Sequence, residues 1–249
     1  MLLDLSPWEL AYAGVVLLFT FGLRGSLGFG GSVGLPLLAL VIPVKVLAPA
    51  WSLIGIVSSM AIIGRDRKYV SMPDFLRLIP GCLLGVLAGL FAFKALDGAL
   101  LARALGGFVM LYAGYTAWMA TRPVDARPPV PAAILKPIAS FFSGAVGTMF
   151  GAMASIFFTM YMEAGRANKH VLRATVSAML MTLSVIRTIG YAAVDELTLD
   201  SLVLCAAAFP FMGVGLLVGD RIHSGLSERA FQRLLAAALL VCGLPLLLK

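Results

Sequence analysis

Between two apolar runs, Trp8–Leu23 and Leu35–Val44, five glycines (Gly25, Gly28, Gly30, Gly31 and Gly34) fall within ten residues. The stretch from Arg24 to Pro36 reads Arg-Gly-Ser-Leu-Gly-Phe-Gly-Gly-Ser-Val-Gly-Leu-Pro. Each glycine in a helix interior costs about 1 kcal/mol relative to alanine, so a continuous helix is not expected through it. A helix broken at membrane depth survives only where protein or a water-lined cavity satisfies the freed backbone groups. Such a break aims free N–H groups and a positive helix end at one spot, which suits an anion. Arg24, Ser26 and Ser32 stand beside it, which makes the stretch half of a candidate substrate site.

The membrane is implied by composition. Of the 249 residues, 61% are hydrophobic and 12% charged, about half the charged content of an ordinary soluble domain. A soluble chain of this size has no way to hide so much apolar surface. The formal net charge of +7 does not point to nucleic acid, because the basic residues cluster at the ends of apolar segments. No basic stripe interleaved with aromatics occurs. Cys82, Cys205 and Cys242 sit inside apolar runs without metal-ligand or redox spacing and read as small core hydrophobes. The first apolar run lacks a basic leader and a small-residue cleavage site, and reads as retained.

Ten apolar segments follow one another: Trp8–Leu23, Val33–Val44, Leu47–Ile63, Phe75–Phe93, Leu101–Ala120, Ile134–Met149, Met153–Met162, Val171–Val194, Leu199–Ile222 and Phe231–Leu248. A spanning helix needs about 20 apolar residues. Val33–Val44 and Met153–Met162 are too short, and each follows a glycine-containing break, so each reads as the returning arm of a re-entrant or kinked hairpin. Thr121–Pro137, with five prolines, three basic residues and one acid, reads as a linker. It divides the chain into a first repeat, residues 1–120, and a second, residues 138–249.

The halves resemble each other. Pro80-x4-Gly85-x3-Gly89 matches Pro210-x4-Gly215-x3-Gly219, and the same register pairs Leu96 with Leu226, Arg103 with Arg233 and Leu105 with Leu235. Earlier, Phe29-Gly30-Gly31-Ser32 lines up with Phe150-Gly151-Ala152-Met153, and Phe21 with Phe142. Equivalent loops carry opposite charge. Arg65-Asp66-Arg67-Lys68 is basic where Asp195-Glu196 and Asp200 are acidic; Lys94, Asp97 and Arg103 are near neutral where Arg221, His223, Arg229 and Arg233 are basic. Opposite bias places equivalent loops on opposite sides of the membrane. The basic loops and linker then face the cytoplasm, the N-terminus and Lys249 the outside, with the Lys45 turn as the exception. The expected fold is an all-α polytopic membrane protein of two inverted repeats, each opened by a broken helical hairpin. Transporters are built this way.

Candidate binding residues are Arg24, Ser26, Gly30, Gly31 and Ser32 from the first break, with Thr148, Gly151 and Ser155 from the second. Arg187 is a further source of charge. Snorkelling to an interface is the competing reading of both arginines, while an intramembrane arginine is functional by default. For Arg187, Glu163 or a bound anion is the available counter-charge. His170 and His223 read as solvated. No hydrolase, metalloprotease or P-loop motif occurs, so the chain reads as a non-enzyme with neither a metal nor a cofactor.

Gly25-x2-Gly28-Phe-Gly-Gly-Ser-x2-Leu-Pro36 resembles the glycine-rich signature near the N-terminus of the TauE/SafE sulfite exporter family, also called the toluene-sulfonate uptake permease family. Ser143-Gly144-Ala145-Val146-Gly147 is similar to its second-half opening. Gly215-x3-Gly219 with Leu226-Ser227 and Phe231–Leu235 resembles its closing helices. Phe150-Gly151-Ala152-Met153 departs from the family's usual glycine run. The resemblance implies a secondary carrier, often an exporter, of sulfite, organosulfonates or related anions in the bacterial inner membrane. Proton or sodium coupling and a homodimer are open at this point. The rival readings are an anion channel and a membrane-embedded sulfur-handling subunit that uses a cysteine.

Overall fold

The computed structural model describes residues 6–27, 33–121, 132–165, 168–221 and 228–249. Among them ten α-helices follow in order: α1 (Pro7–Leu27), α2 (Gly34–Leu38), α3 (Val44–Asp66), α4 (Met72–Ala95), α5 (Gly98–Ala120), α6 (Ala132–Phe150), α7 (Ala154–Ala164), α8 (Lys169–Ala193), α9 (Leu199–Arg221) and α10 (Glu228–Leu248). Among the described residues five segments, one each in α3, α4, α5, α8 and α9, are long and apolar enough to cross a membrane. Side chains such as Leu87, Phe91, Leu111, Leu217 and Val241 stand exposed along the outer faces. Exposed apolar rows on membrane-length helices are lipid-facing surface. The protein is an all-α polytopic membrane protein.

The expected short arms are short for identifiable reasons. Helix α2 has five residues, and Pro43, in extended conformation, then separates it from α3 as the residue that caps the start of that helix. Helix α7 has eleven residues and follows a break at Gly151–Met153, where Gly151 (φ 76°) and Met153 (φ 72°) both take positive φ. At the first hairpin, α1 stays helical to Leu27, so Arg24 occupies its last turn. The residues beyond it, Gly28, Gly30, Gly31 and Ser32, lie outside the described residues. Helix α6 begins at Ala132 and carries Lys136 and Pro137.

Four helix pairs build the bundle: α1 with α9, α3 with α8, α4 with α6 and α5 with α10. In two of them glycine brings carbonyl oxygens closest to the facing helix. A Cβ at Gly85 would lie 2.1 Å from the Phe141 carbonyl oxygen, and one at Gly144 2.2 Å from that of Cys82. A Cβ at Gly219 would lie 2.0 Å from the Gly22 carbonyl oxygen, and one at Gly215 2.9 Å from that of Leu18. Backbones that approach so closely exclude any side chain between them. The order of these contacts makes α4 parallel to α6, and α1 parallel to α9.

Helices α3 and α8 run antiparallel and are joined along their length. Lys45 pairs with Glu196 at 3.1 Å and Asp66 with Arg173 at 3.1 Å, while the Ser52 and Thr188 hydroxyls meet at 2.8 Å between them. Lys45 Nζ also donates to the Phe93 carbonyl at the end of α4 (2.7 Å) and lies over the Phe93 ring. The charge that disobeyed the loop pattern is therefore neutralised locally. Lys249 shares that end of the bundle, donating to the carbonyls of Ala39 (2.9 Å) and Leu40 (2.7 Å) just past α2. The Arg67–Tyr69 turn lies at the opposite end, where Tyr69 packs on His170. Tyr12 in the first half of α1 donates to the Leu37 carbonyl, on the Lys249 side. Tyr161 near the end of α7 donates to Asp74 at the start of α4 (3.0 Å), on the Arg67–Tyr69 side.

Candidate functional site

Arg24 leaves the last turn of α1 and is only 5% exposed; Arg187, from α8, is 3% exposed. Neither snorkels. Both line one cavity, with Trp51 and Gly55 of α3, the break residues Gly151, Ala152 and Met153, Ala154 and Ser155 at the start of α7, and Leu180 and Ser184 of α8. The cavity measures about 20 Å³, enough for about one water and too small for a sulfonate.

The guanidiniums are held by neutral groups. Arg24 Nη2 donates to Ser59 Oγ (2.7 Å). Arg187 Nη1 donates to the carbonyls of Gly147 and of Gly151 (3.1 Å), and its Nη2 to Ser184 Oγ (3.0 Å). The Nε atoms of Arg24 and Arg187 are buried and have no acceptor among the described residues. Among the described residues no carboxylate lines the cavity. A buried cation is expensive unless paired, and a buried donor without an acceptor costs about 1–3 kcal/mol. Two cations beside one small cavity are a combination that an oxyanion can neutralise, because its oxygens match the guanidinium fork.

The break supplies the rest. Helix α7 starts at the cavity, and its first-turn N–H groups belong to residues beside Ser155. Those amides and the positive helix end favour an anion. Ser143 Oγ donates to the Ala154 carbonyl (3.0 Å), tying the start of α7 to α6. Gly151 is required by geometry: besides its positive φ, an added Cβ would lie 2.5 Å from Ala48 Cα. Gly151→Ala should therefore lower the melting temperature, since the left-handed region alone costs a side chain about 1–2 kcal/mol, and should weaken anion binding with it. Melting curves of the purified variant with and without anion test this; unchanged curves would mean that the break needs no glycine.

Of the residues singled out in the sequence, Arg24, Gly151, Ser155 and Arg187 meet at the cavity. Thr148 does not: its hydroxyl donates to the Gly144 carbonyl within α6 (2.7 Å), and its own carbonyl accepts from the Tyr191 hydroxyl. Gly30, Gly31, Ser32 and the side chain of Ser26 lie outside the described residues, as does the side chain of Glu163. Sequence reasoning missed Ser59 and Ser184. The only signal for Ser184 is its place three residues before Arg187, where the two side chains share a helix face; nothing local marks Ser59. The three cysteines are buried and form no disulfide, and none is among the described residues lining the cavity. Among the described residues no group of His, Cys, Asp or Glu is placed to hold a metal ion.

Helices that stop short inside a membrane bundle and turn their ends toward a small shared cavity serve passage across the bilayer. The class defined is a secondary transporter of small anions. The chain belongs to the sulfite exporter TauE/SafE family, which it matches over residues 12–246. No curated protein and no solved structure matches it.

Proposed function

We propose that this protein is a secondary carrier, working as an exporter, of small sulfur-containing anions such as sulfite or organosulfonates in the bacterial inner membrane. The observation that carries the reading is the pair of buried guanidiniums of Arg24 and Arg187 at one cavity, which no carboxylate lines among the described residues. The residues proposed to contact substrate are Arg24, Arg187, Ser155 and the backbone around Gly151, together with Ser26, Gly30, Gly31 and Ser32 of the glycine-rich stretch. A cavity of about 20 Å³ suits a carrier that occludes its cargo better than an open anion channel. The burial of all three cysteines away from it speaks against a thiol relay. Thermal shifts of the purified protein with sulfite, thiosulfate, sulfoacetate, taurine and carboxylate analogues test the substrate class, because a ligand that binds only the folded state stabilises it. Stabilisation by carboxylates alone would overturn the sulfur-anion reading.

The architecture proposed for this carrier is two inverted repeats, residues 1–120 and 138–249, joined by the Pro-rich segment. Exchanging the halves turns the α1–α9 pair into α6–α4 and maps α3–α8 and α5–α10 onto themselves, which are the pairs the bundle contains. The Tyr12–Leu37 and Tyr161–Asp74 contacts lie at opposite ends, and Glu196 and Lys249 lie at the end away from Arg67–Tyr69. Reporters fused after Lys68 and after Arg127 should read cytoplasmic, and one after Glu196 periplasmic. The same sidedness at Lys68 and Glu196 would exclude inversion.

A further inference from the structure

We infer that the protein is an obligatory anion exchanger: the site changes sides only with an anion bound, so each anion that leaves is matched by one that enters. The inference rests on reading the Arg24–Arg187 cavity as the transport site.

The two cations reach that cavity from different helix pairs, Arg24 from α1, which packs on α9, and Arg187 from α8, which packs on α3. Their polar partners are hydroxyls and carbonyls of Ser59, Ser184, Gly147 and Gly151, which carry no formal charge. Carboxylates that might serve are occupied elsewhere: Asp66 is paired with Arg173, and Glu196 with Lys45. Glu163 lies eight residues beyond Ser155 on α7, about 12 Å along the helix. The titratable side chain nearest Arg187 along α8 is Tyr191, whose hydroxyl donates to the Thr148 carbonyl. Among the described residues lining the cavity there is neither a carboxylate nor a histidine.

This chemistry decides how the carrier returns. A site with its own carboxylate neutralises itself when its cargo leaves, by closing an internal ion pair or by taking a proton. Guanidinium does neither, because it stays protonated and has no acceptor atom. While the site is open to either side, water solvates both charges. Closing removes that water and leaves two like charges facing each other in a dry cavity. A bound anion favours the closed form by its differential affinity for closed over open. Passage between the two faces goes through the closed form, so the anion is needed in both directions. Proton coupling at this site would need a titratable group beyond the two guanidiniums, and none is among the described residues that line the cavity.

The test is counter-transport in proteoliposomes. Purified protein is reconstituted with potassium and valinomycin clamping the voltage at zero, at mildly alkaline pH, and radiolabelled sulfite is added outside. One set of vesicles holds unlabelled sulfite and the other potassium gluconate, too bulky for the cavity. Uptake is expected to be about tenfold faster into sulfite-loaded vesicles. In Arg24→Gln that ratio should fall toward one, because removing one cation lets the site close without cargo. Equal uptake into both wild-type sets, or restoration of uptake into gluconate vesicles by a pH or sodium gradient, overturns exchange and leaves the carrier reading intact. A full ratio retained by Arg24→Gln overturns the charge argument. No uptake in either set despite a sulfite thermal shift also overturns it, since exchange of bound sulfite is what it requires. With neither uptake nor shift, the substrate reading falls and the inference with it.

Discussion

Arg24→Ala should raise the dissociation constant for sulfite about 10²-fold or more without lowering the melting temperature of the anion-free protein. A bidentate guanidinium–oxyanion contact comprises two charge-assisted hydrogen bonds, each about 1.5–3 kcal/mol, and every 1.4 kcal/mol is about tenfold in affinity. The fold has less to lose. Within the described residues Arg24 makes one hydrogen bond, to Ser59, its Nε has no acceptor, and it shares a dry cavity with Arg187. Removing it relieves like-charge repulsion and a desolvation cost together. Arg24→Lys should recover binding only in part, because an ammonium is a point charge without the planar fork. Arg187→Ala should differ in kind. Had that side chain snorkelled outward, its loss would be mild. It is buried and holds the carbonyls of Gly147 and Gly151 around the break, so folded yield should fall along with binding. Thermal melts and calorimetric titration separate the two. Full sulfite binding by purified Arg24→Ala would leave the backbone amides of the second break as the whole anion site.

Gly85→Leu and Gly219→Leu should each abolish folded protein. An ideal Cβ at these positions lies 2.1 Å and 2.0 Å from carbonyl oxygens of α6 and α1, far inside van der Waals contact. The obstacle is backbone in a paired helix, so it has no rotamer with which to move aside. Even alanine would force the helices apart, and overpacking of this kind typically costs about 1–3 kcal/mol before further side-chain atoms are added. Gly213, on the same helix as Gly219, is the control: nothing lies within 4 Å of its Cβ position. Gly213→Ala should be neutral or stabilising by up to about 1 kcal/mol through helix propensity. Size-exclusion profiles of the detergent-solubilised variants test this. Equal loss at Gly213 and Gly219 would show that the substitutions act on insertion and not on helix contact.

These glycines illustrate what a membrane sequence states openly. The small-residue series Gly81/Gly85/Gly89 and Gly215/Gly219 have the spacing of close helix packing, and the structure puts the first three against α6 and the last two against α1. Small residues recur at helical spacing because only they allow backbones to touch where lipid competes equally for every apolar side chain. The break before α7 was legible for a similar reason: Phe150-Gly151 interrupts an apolar run too short to span. The Lys45 turn was not. Its lysine offended the charge pattern until folding brought Glu196, 151 residues later, within 3.1 Å.

What the sequence by itself determined was local: that the chain lives in a bilayer, where its helices stop, which glycines are contacts, and that Arg24 and Arg187 need a reason to be where they are. These follow from composition, length and the cost of charge in hydrocarbon, which act residue by residue. Only the tertiary structure decided that the two arginines share one cavity, that Ser59 and Ser184 hold them, and that no carboxylate lines it among the described residues. Thr148, a plausible ligand in the sequence, was turned inward to its own helix by the same packing that set Gly89 against α6. The meeting of Arg24 with Arg187 joins residues 163 positions apart, and no spacing along the chain encodes it. It is set by which helix pairs with which, through close contacts whose partners become neighbours only when the bundle closes.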